Sequence, residues 1–236
     1  MSSILIVNAD DLGYDPEIDR GILEAHRLGL VTSASAMVEG PSSDRALAEA
    51  PASLGLGLHA VLDAGLGRAQ AEAELWRQAE RFERLRGAPP THLDTHRHAH
   101  ARPAVLEAVA AVAVRQRLPV RAIDGSMREE LRRRGVVTSD HFLGDAALRP
   151  CWTRDRLLAA LAALADGVTE LMCHPGHAPS VACTSFGRER EIELAALCDP
   201  AARASLPGWG VRLARYAREG RLWSPARSGL DLPTRT

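Results

Sequence analysis

Two adjacent carboxylates, Asp10 and Asp11, follow a short apolar run at residues 4–7 near the start of the chain. Neighbouring residues at a strand end point to opposite sides, so one carboxylate can hold a metal while the other takes a proton. The pair equally fits a turn or helix cap ahead of Gly13. The run Thr91-His92-Leu93-Asp94-Thr95-His96-Arg97-His98-Ala99-His100 gathers four of the nine histidines. If the extended chain continues through it, His92, Asp94, His96, His98 and His100 share one face by the two-residue period. Neutral imidazole is the commonest metal ligand in proteins. Not all of these can ligate; spare ones orient ligands, contact substrate or form a solvated loop. His59 follows Gly55 and Gly57, which let the backbone approach a neighbour closely. His174 stands where an apolar run at 168–173 stops at Pro175-Gly176. That position suits proton transfer near neutral pH, and a hydrogen-bonded structural histidine is the plainer alternative.

The elements that must position these residues alternate. Apolar, β-branched runs predict strands at 4–7, 31–38, 54–59, 91–95, 118–123, 136–138 and 168–173. Helical patterns fill the intervals: one from Ile18 to a stop at Gly29, then 43–49, 72–85, a long apolar helix opened by Pro103, 126–134, 155–164 and 187–197. From 211 onward the pattern is unassigned. This βα alternation predicts an α/β fold, a parallel sheet with helical crossovers that is open or closed into a (β/α) barrel. The C-terminal strand ends of such folds share one face, where active sites form. The carboxylates and histidines fall at those ends, as does Arg121 near the end of the fifth predicted strand. No linker or repeat divides the chain, so residues 1–223 are expected to form a single catalytic domain, with a weakly ordered tail over 224–236.

Composition removes several chemistries. All 29 basic residues are Arg, which excludes Schiff-base, P-loop and cofactor-binding lysines. A net charge of −1 and a pI near 6.8 give no electrostatic footprint for nucleic acid. Arg132, Arg133 and Arg134 share a stretch with Glu129 and Glu130 and read as a solvated helix face. Four cysteines without a C-x-x-C pair predict reduced thiols, and Cys173 reads as core. No apolar stretch reaches membrane-spanning length and no secretory leader is apparent, so the expected location is cytoplasmic. The G-x-S-x-G, G-x-G-x-x-G and P-loop patterns are all missing from the sequence.

The segments Asn8-Ala9-Asp10-Asp11-Leu12-Gly13, Gly57-Leu58-His59, Thr91 to His100 and Glu170-Leu171-Met172-Cys173-His174-Pro175-Gly176 resemble the YdjC-like carbohydrate deacetylases, in the right order over residues 4 to roughly 220. The resemblance implies a barrel-like fold and metal-dependent removal of an acetyl group from an N-acetylated sugar or oligosaccharide. It implies one divalent ion, magnesium or zinc, on Asp11, His59 and His96. By the same resemblance Asp10 is the general base and His174, protonated, the general acid. Arg121 and His98 are expected at the substrate; for Arg121 an ion pair with a neighbouring acid is the alternative. Asp94, His98 and His100 are candidates for supporting the ligands. Leu12 and Asp63 stand where the family pattern has Phe and Thr, and both are expected to border the sugar. The competing readings are a metal-dependent phosphoester hydrolase using the same ligands and a non-catalytic carbohydrate-binding protein. Expected partners are the acetylated sugar and, as a homodimer, a second copy of the chain.

Overall fold

The computed structural model describes residues 3–144, 151–218 and 221–226. Strand β1 (Ser3–Leu12) is buried along its whole length, as a continuous apolar run with neighbours on both edges must be. Helix α1 (Pro16–Leu28) starts where Pro16 can sit without a backbone donor and Asp15 caps Glu17 N. It buries Ile18, Ile22 and Ala25 and stops at Gly29. Then come β2 (Ser33–Ala36), α2 (Ser43–Glu49), β3 (Gly55–Ala60), α3 (Arg68–Arg86) and β4 (Leu93–Thr95). After β4 the chain tightens into a 3-10 turn, His96–Ala101, and enters α4 (Pro103–Gln116). The remainder is α5 (Gly125–Arg133), β5 (His141–Leu143), α6 (Arg154–Ala162), β6 (Gly167–Cys173), α7 (Arg188–Leu197), α8 (Pro200–Ser205), β7 (Val211–Tyr216) and β8 (Trp223–Pro225).

The strands form one curled sheet in the order β4-β3-β2-β1-β6-β5, parallel throughout. With its helical crossovers this is a distorted barrel-like α/β fold. β1 is its spine. It pairs with β6 along Ser3–Ala9, while β7 covers its first half and β2 takes over from Asn8. The segment from 211, which carries no clear sequence pattern, is therefore a parallel strand against the amino end of the chain, and β8 adds an antiparallel edge to it.

Two predicted strands are not regular strands. Residues 118–123 make a single bridge, Leu93 with Val120, and Val120 N donates to Val137 O in the 136–138 segment. Both are extended connections that carry the curl from β4 toward β5. Of the expected tail, Ser224 and Pro225 lie in β8, and 227–236 fall outside the described residues. Among the described residues no helix is long and apolar enough to cross a membrane. Arg132, Arg133 and Arg134 are exposed and pair with Asp140, Glu130 and Glu107.

Register sets the rim. His59 of β3 lies opposite Asp94 of β4, and Ala9 of β1 opposite Cys173 of β6. The carboxylate pair after Ala9 and the histidine after Cys173 are thus brought to one end of the sheet.

A candidate metal centre

β1 does not run straight into the site. Between Ala9, opposite Ala34, and Leu12, opposite Ala36, it holds one residue more than β2. Asp11 takes this up with a left-handed backbone, φ +72°, a conformation that side chains other than Gly adopt at a cost. The bulge changes the expectation for the pair. Asp10 and Asp11 do not diverge to opposite faces; both line one cavity of about 230 Å³.

Asp11 Oδ1 lies 3.4 Å from His59 Nε2 and 3.4 Å from His96 Nδ1, and the two nitrogens are 3.3 Å apart. Oδ1 is buried and accepts no hydrogen bond of normal geometry. Ligand atoms about 2.1 Å from a tetrahedral zinc ion are separated by about 3.4 Å, so one oxygen and two nitrogens here already hold the spacing of a mononuclear site. His59 is oriented from behind: its Nδ1 meets Asp94 Oδ1 at 2.6 Å, leaving Nε2 for the cavity. Asp94 is anchored by the Ser35 hydroxyl at 2.8 Å and by Arg121 at 2.9 Å.

Without a cation, the charges of this centre balance only with a proton on His59. Burial would raise Asp11, but the His59 and His96 imidazoles and Arg190 hold its carboxyl well below the usual range. Burial likewise opposes ionisation of Asp10 and Asp94, and Arg121 overcomes it in both. Three ionised carboxylates thus face two guanidiniums. Burial lowers the His59 imidazole, yet Asp94 and Asp10 more than offset this and lift it to about 10. The site demands more positive charge than its arginines supply, and a divalent cation fits that demand.

Asp10 is held by both oxygens, to Arg121 at 2.6 and 2.7 Å, and Asn8 donates to Oδ1 at 2.9 Å. His174 Nε2 faces it at 3.9 Å. Glu193 accepts the His174 backbone N–H at 2.6 Å and that of Trp152 at 3.1 Å, pinning the strand end from α7. Phe186 packs against the imidazole. Burial pulls the His174 imidazole down to about 4, although Asp11 and Asp10 beside it favour the charged form.

Arg121 does not line the cavity. It has no solvent exposure, and its guanidinium is consumed by Asp10, Asp94 and Glu170, so of its two expected roles the ion pair is the one adopted. It also fills the second acidic cluster, Asp10, His59 and Asp94, with its own positive charge.

The histidine run does not continue as a strand. β4 ends at Thr95, and Arg97 and His98 both take left-handed backbones, φ +52° and +49°. The side chains scatter accordingly. His96 and His98 line the cavity, whereas His100 is buried on Thr95 Oγ1. His92 lies flat over Gly57, stacked on Tyr216 at 4.1 Å and bonded to Ser35 Oγ at 3.0 Å. The close approach that Gly57 allows is thus to His92, whereas Gly55 lies against Ser33 Oγ and Tyr216 O. Leu12 is fully buried in the core and Asp63 lies in an exposed loop; neither lines the cavity.

The remaining wall is Tyr14, Arg97, Met172, Arg190 and residues 183–186. Asp15 holds the loop that leads to the latter by accepting the backbone N–H groups of Ser180, Val181 and Ala182 at 2.6–3.0 Å. Sequence reasoning passed over Arg190 and Glu193. Their signal was available: with Leu194 and Leu197 they occupy i, i+3, i+4 and i+7 of α7, so two charges sit where the helical period puts core residues.

Fold and rim together define an α/β protein whose strand ends enclose a buried carboxylate–imidazole centre. The chain belongs to the YdjC-like protein family, whose profile matches residues 4–207. It is 35% identical to a carbohydrate deacetylase of Geobacillus stearothermophilus, covering 92% of this chain and 98% of that one. It is 33% identical to a chitooligosaccharide deacetylase of Serratia marcescens over 92% and 99% of the two chains. A solved structure from Enterococcus faecalis, described as a cellobiose-phosphate cleavage protein, superposes with a TM-score of 0.79 at 25% identity, covering 92% of this chain and 98% of that one.

Proposed function

We propose that this protein is a metal-dependent hydrolase that removes the acetyl group from an N-acetylated sugar or oligosaccharide. The observation that carries the reading is the unsatisfied Asp11 Oδ1, buried at equal distance from His59 Nε2 and His96 Nδ1. Those three residues would hold one divalent ion. The ion would polarise the acetamide carbonyl and ease ionisation of water. Two imidazoles and one carboxylate suit zinc better than magnesium, which prefers an oxygen shell.

The chain's own residues divide the proton transfers. Asp10, ionised and fixed by Arg121, takes a proton from the attacking water. His174 gives a proton to the departing sugar amine, which cannot leave as an anion. Burial makes His174 neutral at rest, so the proton it delivers is the one Asp10 has taken from the water, passed across the 3.9 Å between them. Asp10 and Asp11 already favour its charged form. Tyr14, Arg97 and His98 lie on the cavity wall where the sugar would enter. The deacetylase names of the two relatives support the same reaction class. A two-metal phosphoester hydrolase is the weaker reading, since Arg121 occupies the one other acid–histidine cluster found among the described residues.

An acetate-release screen over N-acetylglucosamine oligomers and their phosphorylated forms tests the proposal. Metal-stripped protein supplemented with zinc, magnesium or manganese should release acetate, and chelation should stop it. Silence across the whole panel with metal bound would favour a carbohydrate-binding protein instead.

A further inference from the structure

Arg190 is buried to 2% exposure on α7, and its Nη2 meets Asp11 Oδ2 at 2.5 Å. Its Nε and Nη1 are buried without an acceptor, so Asp11 is the only carboxylate it pairs with among the described residues. The side chain is closely confined. A Cβ on Gly176 would come within 3.2 Å of Arg190 Cδ, and the guanidinium lies 5.8 Å from the Phe186 ring centre. Gly176 N donates to Arg190 O at 3.3 Å, tying the helix to the turn after β6. Asp11 itself stands on a left-handed bulge residue, where nothing in the strand ladder fixes its side-chain torsion.

We propose that Arg190 is a positioning residue that occupies Asp11 Oδ2 and so presents Oδ1 alone to a divalent cation shared with His59 and His96. The inference rests on the metal-dependent reading and deepens it. A free carboxylate on a bulge can rotate and offer either oxygen or both. With Oδ2 gripped from α7, the carboxylate plane is set before any ion arrives and one oxygen remains. Hydrogen-bond partners that orient a metal ligand in this way typically contribute about 10–100-fold to metal affinity.

The test is metal binding, read without turnover. Metal-stripped protein is titrated with zinc against a chromophoric chelator, and with cobalt(II), whose visible spectrum reports coordination geometry. Arg190→Met keeps the length of the stem and removes every donor. It should fold, weaken zinc about 10–100-fold and change the cobalt spectrum. Arg190→Lys, which keeps the charge and one donor, should fall between it and the parent. His96→Ala is the control for the centre itself. If His96→Ala leaves zinc affinity unchanged, the metal site is misassigned. If His96→Ala loses zinc while a folded Arg190→Met or Arg190→Lys keeps parental affinity and spectrum, the role of Arg190 is overturned. Should neither Arg190 variant fold, the residue belongs to the fold and the proposal fails equally.

Discussion

Arg121 clasps both carboxylate oxygens of Asp10 from a position with no solvent exposure, and the same guanidinium reaches Asp94 and Glu170. Asp10 is thereby joined, through one side chain, to the carboxylate that orients His59. Glu170 in turn accepts from the Tyr216 hydroxyl at 2.7 Å, which extends the network to β7. Arg121→Met would leave three buried carboxylates facing one another. Losing one partner of a buried ion pair costs about 3–5 kcal/mol, and the loss here should lie at or beyond the top of that range. Urea denaturation measures it, and an unchanged midpoint would refute the structural weight placed on this residue.

Asp10 and His96 should separate in their effects. Asp10→Asn leaves the three candidate ligands in place, so metal content should persist while acetate release falls about 10²–10⁴-fold. His96→Ala removes a ligand and should lose metal and turnover together. Metal analysis and acetate assay on the same preparations decide this. An Asp10→Asn protein of parental activity would remove Asp10 from its assigned role.

Gly57→Ala should destabilise the fold without touching the cavity. Its Cβ would overlap the His92 ring, which is itself clamped by Tyr216, Ser35 and Thr91. Overpacking of this kind costs about 1–3 kcal/mol. Gly65→Ala meets nothing within 4 Å and serves as the neutral comparison. Equal melting temperatures for the two variants would contradict the packing described.

Acidification should weaken the protein as buried imidazoles are forced to take up protons. Burial lowers His92 to about 4 and His100 to about 3. Their neutral forms are therefore favoured in the folded state relative to an unfolded value near 6.5. That contribution is complete above about pH 6.5 and is lost as pH falls toward 4, by about 3 kcal/mol for each group. Thermal melting from pH 7.5 to 4.5 should show a steep fall below pH 6.5. A flat profile over that interval would mean that neither ring is held neutral.

The alternation of runs and helical patterns made the sheet class legible, and local signals fixed several elements closely. The second helix, at 43–49, and the start of α4 at Pro103 were both readable from capping and breaking residues. What was not legible depends on distant partners. β7 is recognisable only because β1 offers it an edge. Residues 118–123 have strand composition but obtain one bridge, since the curl there leaves no regular neighbour. The histidine run misled because a two-residue period presumes an extended chain, and Arg97 and His98 turn it left-handed. The bulge at Asp11 leaves little trace in composition, because no glycine stands at the residue that takes the positive φ, and Asp is commoner in turns and caps than in bulges.

The pairing of Ser3–Ile6 with Val211–Ala214 also orders events in time. During synthesis the first strand emerges roughly two hundred residues ahead of this partner, so one half of that border stays open until Val211–Ala214 has been made. Contacts of such sequence separation form late and slowly. A nascent chain stalled before Val211 would expose that bare edge, and chaperone capture of stalled chains, relieved once β7 has been made, is the signature this topology should leave in a cell.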